Sequence, residues 1–223
     1  MAISFIASTT VNIGTAASTW SINSSNVNSV ATDNGWVLGL THNSSAVTVT
    51  AVTDDLGNAW SVAQQSAVTG SSARAAIWYT RKYAASTRVS VTMSGSCSGT
   101  ISLASVGRLG FPQVNGSTIQ TGNSTSHNVA SLTPASSGIF FHLARCLFST
   151  IGTNVTPSGW TIWASSAAQI RNIGFYQIQA TANSTNCAWT TSSNTGQASV
   201  LVGFAEWSSL ASGSPTLPML GCQ

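Results

Sequence analysis

The sequence predicts an all-β chain, an antiparallel β-sandwich built from two similar halves. Three observations carry that expectation. Apolar residues recur in short β-branched or aromatic runs, not at helical spacing, with Gly, Asn and Ser punctuating the chain roughly every 8 to 15 residues. Some runs alternate, as in Val47-Thr48-Val49-Thr50 and Val89-Ser90-Val91-Thr92, which sets one face on a core and the other in water. An ordered set of motifs also occurs twice, with Arg74-Ala75-Ala76-Ile77-Trp78-Tyr79 and Arg171-Asn172-Ile173-Gly174-Phe175-Tyr176 lying 97 residues apart.

Taken in order, the first half offers strands over residues 36–42, 47–52, 59–64, 75–80, 88–93 and 100–106. The second offers 138–148, 159–164, 173–179, 187–191 and 199–207. Each half has a strand bearing a histidine (His42, His142), then one opened by a tryptophan (Trp60, Trp160), then the Arg-x-x-x-aromatic-Tyr strand, then a closing apolar strand. Two arrangements satisfy this order. One is a single sandwich over 1–223 whose layers are the two halves; the other is two small sandwiches over 30–111 and 135–210. The stretch 112–137, with Pro112, Gly116, Gly122 and Pro134, is the linker candidate. About five strands per half favours pairing the halves into one core. Residues 1–30 and 210–223, poor in large apolar side chains or broken by Pro215 and Pro218, read as extended arms able to wrap neighbouring subunits.

Composition narrows function. The 223 residues include seven Lys+Arg and four Asp+Glu, 5% charged, where ordinary domains carry about 25%. Ser, Thr and Asn fill 81 positions instead, beside 43% hydrophobic residues and eight Trp. That much apolar and aromatic content argues against disorder. No run of about 18 apolar residues suggests a helical membrane span. The formal charge of +3 is scattered and builds no basic stripe for nucleic acid. The first residues lack both the basic region and the continuous apolar segment of a secretory signal, so the chain is expected to be made and left in a cytoplasm, or released by lysis.

Chemistry has few residues to draw on. Asp33, Asp54, Asp55 and Glu206 are the carboxylates; His42, His127 and His142 are the imidazoles. A glycosidase needs two facing carboxylates, and Asp54 or Asp55 with Glu206 is the obvious pairing. No G-x-S-x-G elbow is present. Val52-Thr53-Asp54-Asp55-Leu56-Gly57-Asn58-Ala59-Trp60 reads as a tight turn between strands, with a calcium loop as the alternative. Cys97, Cys146, Cys187 and Cys222 form no C-x-x-C pair, so no zinc site is expected; Cys146 reads as a buried thiol, and Cys97–Cys187 is a conceivable disulfide. Arg74 and Arg171 read as locally paired. Trp163, out of phase with Trp160 and Ile162 in an alternating strand, is the best candidate for an exposed aromatic. No catalytic, cofactor or metal residue is assigned, and no enzyme is expected.

The run Thr53-Asp54-Asp55-Leu56-Gly57-Asn58-Ala59-Trp60, followed by Ile77-Trp78-Tyr79 and Val89-Ser90-Val91-Thr92, resembles the jelly-roll or concanavalin-like domains of tailed-bacteriophage virion proteins and bacterial surface proteins. Their pattern closes on Glu-aromatic-Ser, matched by Glu206-Trp207-Ser208, whereas the first half reads Ala104-Ser105-Val106-Gly107 there. The likeness spans roughly residues 36–209 and carries no catalytic residues. It implies a structural protein on the virion surface, a capsid decoration (cement) protein or a head- or tail-fibre component. Its partners would be the major capsid protein, other virion proteins and further copies of itself, as in a trimer; nucleic acid and membrane are not expected partners. A carbohydrate-binding module or host-surface adhesin, with host glycans as partners, is the alternative.

Overall fold

Among the described residues, the β-branched runs fold into twelve antiparallel strands and no α-helix occurs. The structure is a computed structural model that describes residues 3–27, 34–66, 73–81, 88–133, 139–148, 154–155, 157–166, 170–181 and 183–207. The first half supplies β1 (Ser4–Asn23), β2 (Asn34–His42), β3 (Val49–Asp54), β4 (Ser61–Gln65), β5 (Arg74–Thr80) and β6 (Arg88–Gly107). The second supplies β7 (Leu109–Leu132), β8 (Ile139–Phe148), β9 (Asn154–Val155), β10 (Thr161–Ser166), β11 (Ile170–Gln179) and β12 (Thr185–Glu206).

Each half is one sheet. The first runs β1-β6-β2-β5-β4, with β3 also on β6; the second runs β7-β12-β8-β11-β10, with β9 also on β12. Matching β1 with β7, and so on to β6 with β12, makes the two orders the same. The registers extend the match to single residues. Trp78 faces Leu38, which faces Leu103; Phe175 faces Leu143, which faces Leu201. The two Arg-x-x-x-aromatic-Tyr segments therefore hold the same place. The histidines lie in corresponding strands, β2 and β8, but at different register positions. His42 faces Arg74, whereas His142 faces Tyr176 and so stands where Val37 stands.

Two long strands escape sequence reading in part because they lie at sheet edges. β1, expected as an arm, pairs with β6 from Ser4 opposite Gly107 to Asn23 opposite Arg88, and its Trp20 and Ile22 are buried. β7 takes up most of the expected linker, pairing with β12 from Leu109 to Leu132. Pro112 is tolerated because an edge strand has one side without a ladder partner. The first sheet passes to the second through Arg108 alone, at φ 57°. Residues 134–137 of that linker and the expected C-terminal arm lie outside the described residues.

Burial on both faces explains the unbroken apolar runs. On β2, Val37 joins a cluster shared by both sheets, with Ile77, Val106, Val200, Val202 and Phe204. Its neighbours Trp36, Leu38 and Leu40 point the other way, into a cluster within the first sheet that includes Trp20, Ile22, Val89, Val91 and Leu103. The sheet reaches its own far face because β6 changes partners midway. Residues Val89–Met93 pair with β3, while Gly99–Gly107 pair with β2. Gly99 lies where this change occurs; a Cβ there would meet the Thr41 carbonyl and the Trp20 indole. A corresponding cluster in the second sheet contains Trp160, Phe175, Cys187, Trp189 and Leu201.

Across the sheets, β1 lies against β10 and β6 against β11; the exchanged pairs, β7 against β4 and β12 against β5, are also present. The halves thus contact one another as an approximate twofold would arrange them. Both repeated tyrosines reach across: Tyr176 stacks on Phe5 at 4.4 Å, and Tyr79 meets Phe204 edge-on at 5.5 Å.

Candidate functional site

The carboxylates come first, because any acid–base chemistry would need them. Asp54 ends β3 and closes its own turn. Its Oδ1 accepts from the Leu56 and Asn58 amides, each at 3.0 Å, and its Oδ2 from Asn58 Nδ2 and Trp60 Nε1, each at 2.9 Å. Four donors occupy the lone-pair directions a cation would require. Gly57, at φ 72°, supplies the left-handed residue that completes the turn. The arrangement is that of a structural turn; among the described residues no group of three or more His, Cys, Asp or Glu is placed to hold a metal. Glu206 is engaged elsewhere, 3.1 Å from Arg108 Nε. Arg108 also donates to the Trp207 carbonyl from Nε and Nη2, at 3.1 and 2.8 Å, which latches the end of β12 to the start of β7. Asp54 and Glu206 thus serve separate local structures. Asp33 lies outside the described residues.

His42 and His127 likewise serve packing. His42 is buried at the end of β2, where its Nδ1 accepts from the Ser44 amide at 3.4 Å. Burial, with the Arg74 guanidinium opposite, pushes its pKa down to about 4. Arg74 is 1% exposed and donates from Nη2 to the Ser45 carbonyl, a local pairing of the expected kind; burial lowers its pKa as well. His127 on β7 faces Trp189 on β12, stacks on it at 5.7 Å, and shares a 3.0 Å hydrogen bond with Thr191 Oγ1. For His142, Cys146 and Arg171 the structure describes the backbone alone, in β8 and β11.

Cys97 and Cys187 are both buried free thiols, so the conceivable disulfide between them is absent. They belong to separate interior clusters, one in each sheet. Burial raises the Cys97 pKa to about 11.

The aromatic expectation is corrected. Trp163 is 6% exposed, because a β-bulge between Ile162 and Ala164 breaks the alternation and turns Ile162 outward. The matching strand has the same device, a bulge between Val62 and Gln64 that turns Val62 outward and Ala63 inward. Trp207, which follows the last strand, is the exposed one at 38%. Its ring and that of Phe111 take the Arg81 guanidinium between them, at 3.6 and 3.8 Å. No periodic signal could have found this cluster, since its members come from three separate strand ends.

A cleft of about 480 Å³ opens on the second sheet. Ser126, His127 and Asn128 of β7, Ala188, Trp189 and Thr190 of β12, and Pro157 and Ser158 line it. Nothing in the sequence marks it, because its polar members are the commonest residues of the chain. Comparison of the chain with protein-family models, curated proteins and solved structures found no match.

Proposed function

We propose that the chain is a bacteriophage virion structural protein, a decoration or cement protein that docks on the outer capsid surface, and not an enzyme. The observation that carries this reading is where unpaired character remains on the surface. Asp54 and Glu206 are occupied in a turn and a latch, and Phe111 and Trp207 hold Arg81, whereas apolar side chains stay exposed at Val62 and Ile162 on the edge strands. On a surface with so little charge, such side chains favour contacts with other proteins, further copies of this chain included. Bound across neighbouring capsomers, the protein would stabilise the assembled shell by mass action, since only the assembled form offers the site.

The same reading takes the chain as jelly-roll or concanavalin-like β-sandwich structure. The partner change along β6, the separate interior cluster of each half and the apolar cluster between the sheets support it. Immunogold labelling of phage particles from a lysate that produces this chain tests the location. Label over the particle head is expected; particles free of the chain would end the reading.

A further inference from the structure

The cleft on the second sheet has a chemistry that selects a ligand class. Its floor is the buried His127–Trp189 stack, fixed from behind by Phe175 at 6.0 Å and by the bond to Thr191. Pro157 and Ala188 supply apolar wall, and the exposed Ser126, Asn128, Ser158 and Thr190 form the rim. Among the described residues, no Lys, Arg, Asp or Glu lines it. An ion entering it would lose hydration with no counter-charge to compensate, and a wholly apolar ligand would leave the rim hydroxyls and amide without partners. A neutral ligand bearing both hydroxyls and C–H faces suits it.

Comparison of the two halves supports a site here. Ile162 faces Phe175 as Val62 faces Trp78, so Trp160 stands where Trp60 stands, and Ser158 where Asn58 stands. In the first half that position is tied down: Asn58 gives its amide N–H and its side-chain Nδ2 to Asp54. In the second half no carboxylate precedes it among residues 149–157, and Ser158 is exposed at the cleft.

We propose that this cleft binds a short neutral saccharide, with Asn128, Ser158 and Thr190 meeting its hydroxyls over the rigid His127–Trp189 floor. This goes beyond the capsid-docking reading and does not depend on it. The cleft is open and offers no broad aromatic face, so affinity is expected on the order of 1 mM. The test is saturation-transfer NMR and calorimetry on the full chain with maltose, lactose and diacetylchitobiose, with sialyllactose as the charged comparison. At least one neutral disaccharide binds; Asn128→Ala weakens it about 3- to 10-fold, the loss of one hydrogen bond. Ser158→Trp fills the cleft and abolishes binding, while Thr53→Ala on β3 leaves it unchanged. No neutral sugar bound up to about 20 mM, well above the expected dissociation constant, would overturn the proposal. So would binding that survives Ser158→Trp, or binding of sialyllactose in place of the neutral sugars. Should Ser158→Trp fail to fold, amide shifts of the unaltered chain decide. Shifts centred on Ser126, Asn128, Ser158 and Thr190 support the site, and shifts centred elsewhere overturn it.

Discussion

The bulged edge strands contain a size exchange that can be tested by mutation. In the second sheet Trp163 turns inward beside Gly174, and a Cβ built on Gly174 would meet the indole Nε1, Cε2 and Cδ1 atoms. At the matching place in the first sheet, Ala63 turns inward beside Ile77. A large residue faces a small one in each pair, with the sizes reversed. Gly174→Ala should therefore overpack, at about 1–3 kcal/mol. Reduced freedom of the unfolded backbone offsets about 0.4–1 kcal/mol of that. A net loss of about 1–2 kcal/mol remains, or roughly 2–8 °C in Tm for a chain of this size. Trp163→Ala alone should cost about 3–5 kcal/mol, since the indole fills space between the sheets against Ala104. The double variant Trp163→Ala/Gly174→Ile rebuilds the pair found in the first sheet. Its loss should fall short of the sum of the separate Trp163→Ala and Gly174→Ile losses by more than about 1 kcal/mol. Urea unfolding of the unaltered chain and these four variants measures this. A neutral Gly174→Ala, or strictly additive losses, would refute the complementarity.

Other outcomes follow from the same contacts. His42 has a folded pKa of about 4 against an ordinary 6.5, so the unfolded chain takes up the proton first. Its contribution is complete above pH 6.5 and is lost as pH falls toward 4, by up to roughly 3 kcal/mol. His42→Leu, which copies Leu147 at the matching register position, should flatten urea stability between those limits; an unchanged slope would contradict the assignment. Asp54→Ala removes the acceptor for four hydrogen bonds and should cost about 2–4 kcal/mol, while added calcium leaves the Tm of the unaltered chain where it was. Glu206→Gln breaks a part-exposed ion pair and should cost under about 1 kcal/mol by urea unfolding. Cys97, buried with a raised pKa, should resist alkylation in the folded chain and react once urea unfolds it, as read by peptide mass spectrometry.

Legibility in the sequence followed burial. The runs at residues 36–42, 75–80 and 101–106 stood out because both of their faces are packed, which leaves unbroken apolar stretches. The edge strands β1 and β7 have one ladder partner each and are rich in Ser, Thr and Asn, so they read as arm and linker. β6 and β12 each read as two strands, because Ser94–Ser98 and Ser192–Gly196 interrupt the apolar pattern, and the edge-strand register shifts there, while the strand itself runs on. The bulge beside Trp163 was invisible, since one added residue inverts the faces without changing composition. The Asp54 turn was legible because Asp, Gly and Asn each supply a distinct local need. The cleft was not, because its rim uses the residue types that cover the rest of the surface.

The solution mass of the full chain, by light scattering on a sizing column, tests most directly whether this protein works through contacts with its own kind and a capsid. A closed assembly of three or more copies of the 22.9 kDa chain is expected, and Val62→Lys with Ile162→Lys on the edge strands should weaken it. A 22.9 kDa monomer, unchanged by those substitutions at any concentration reached, would contradict it.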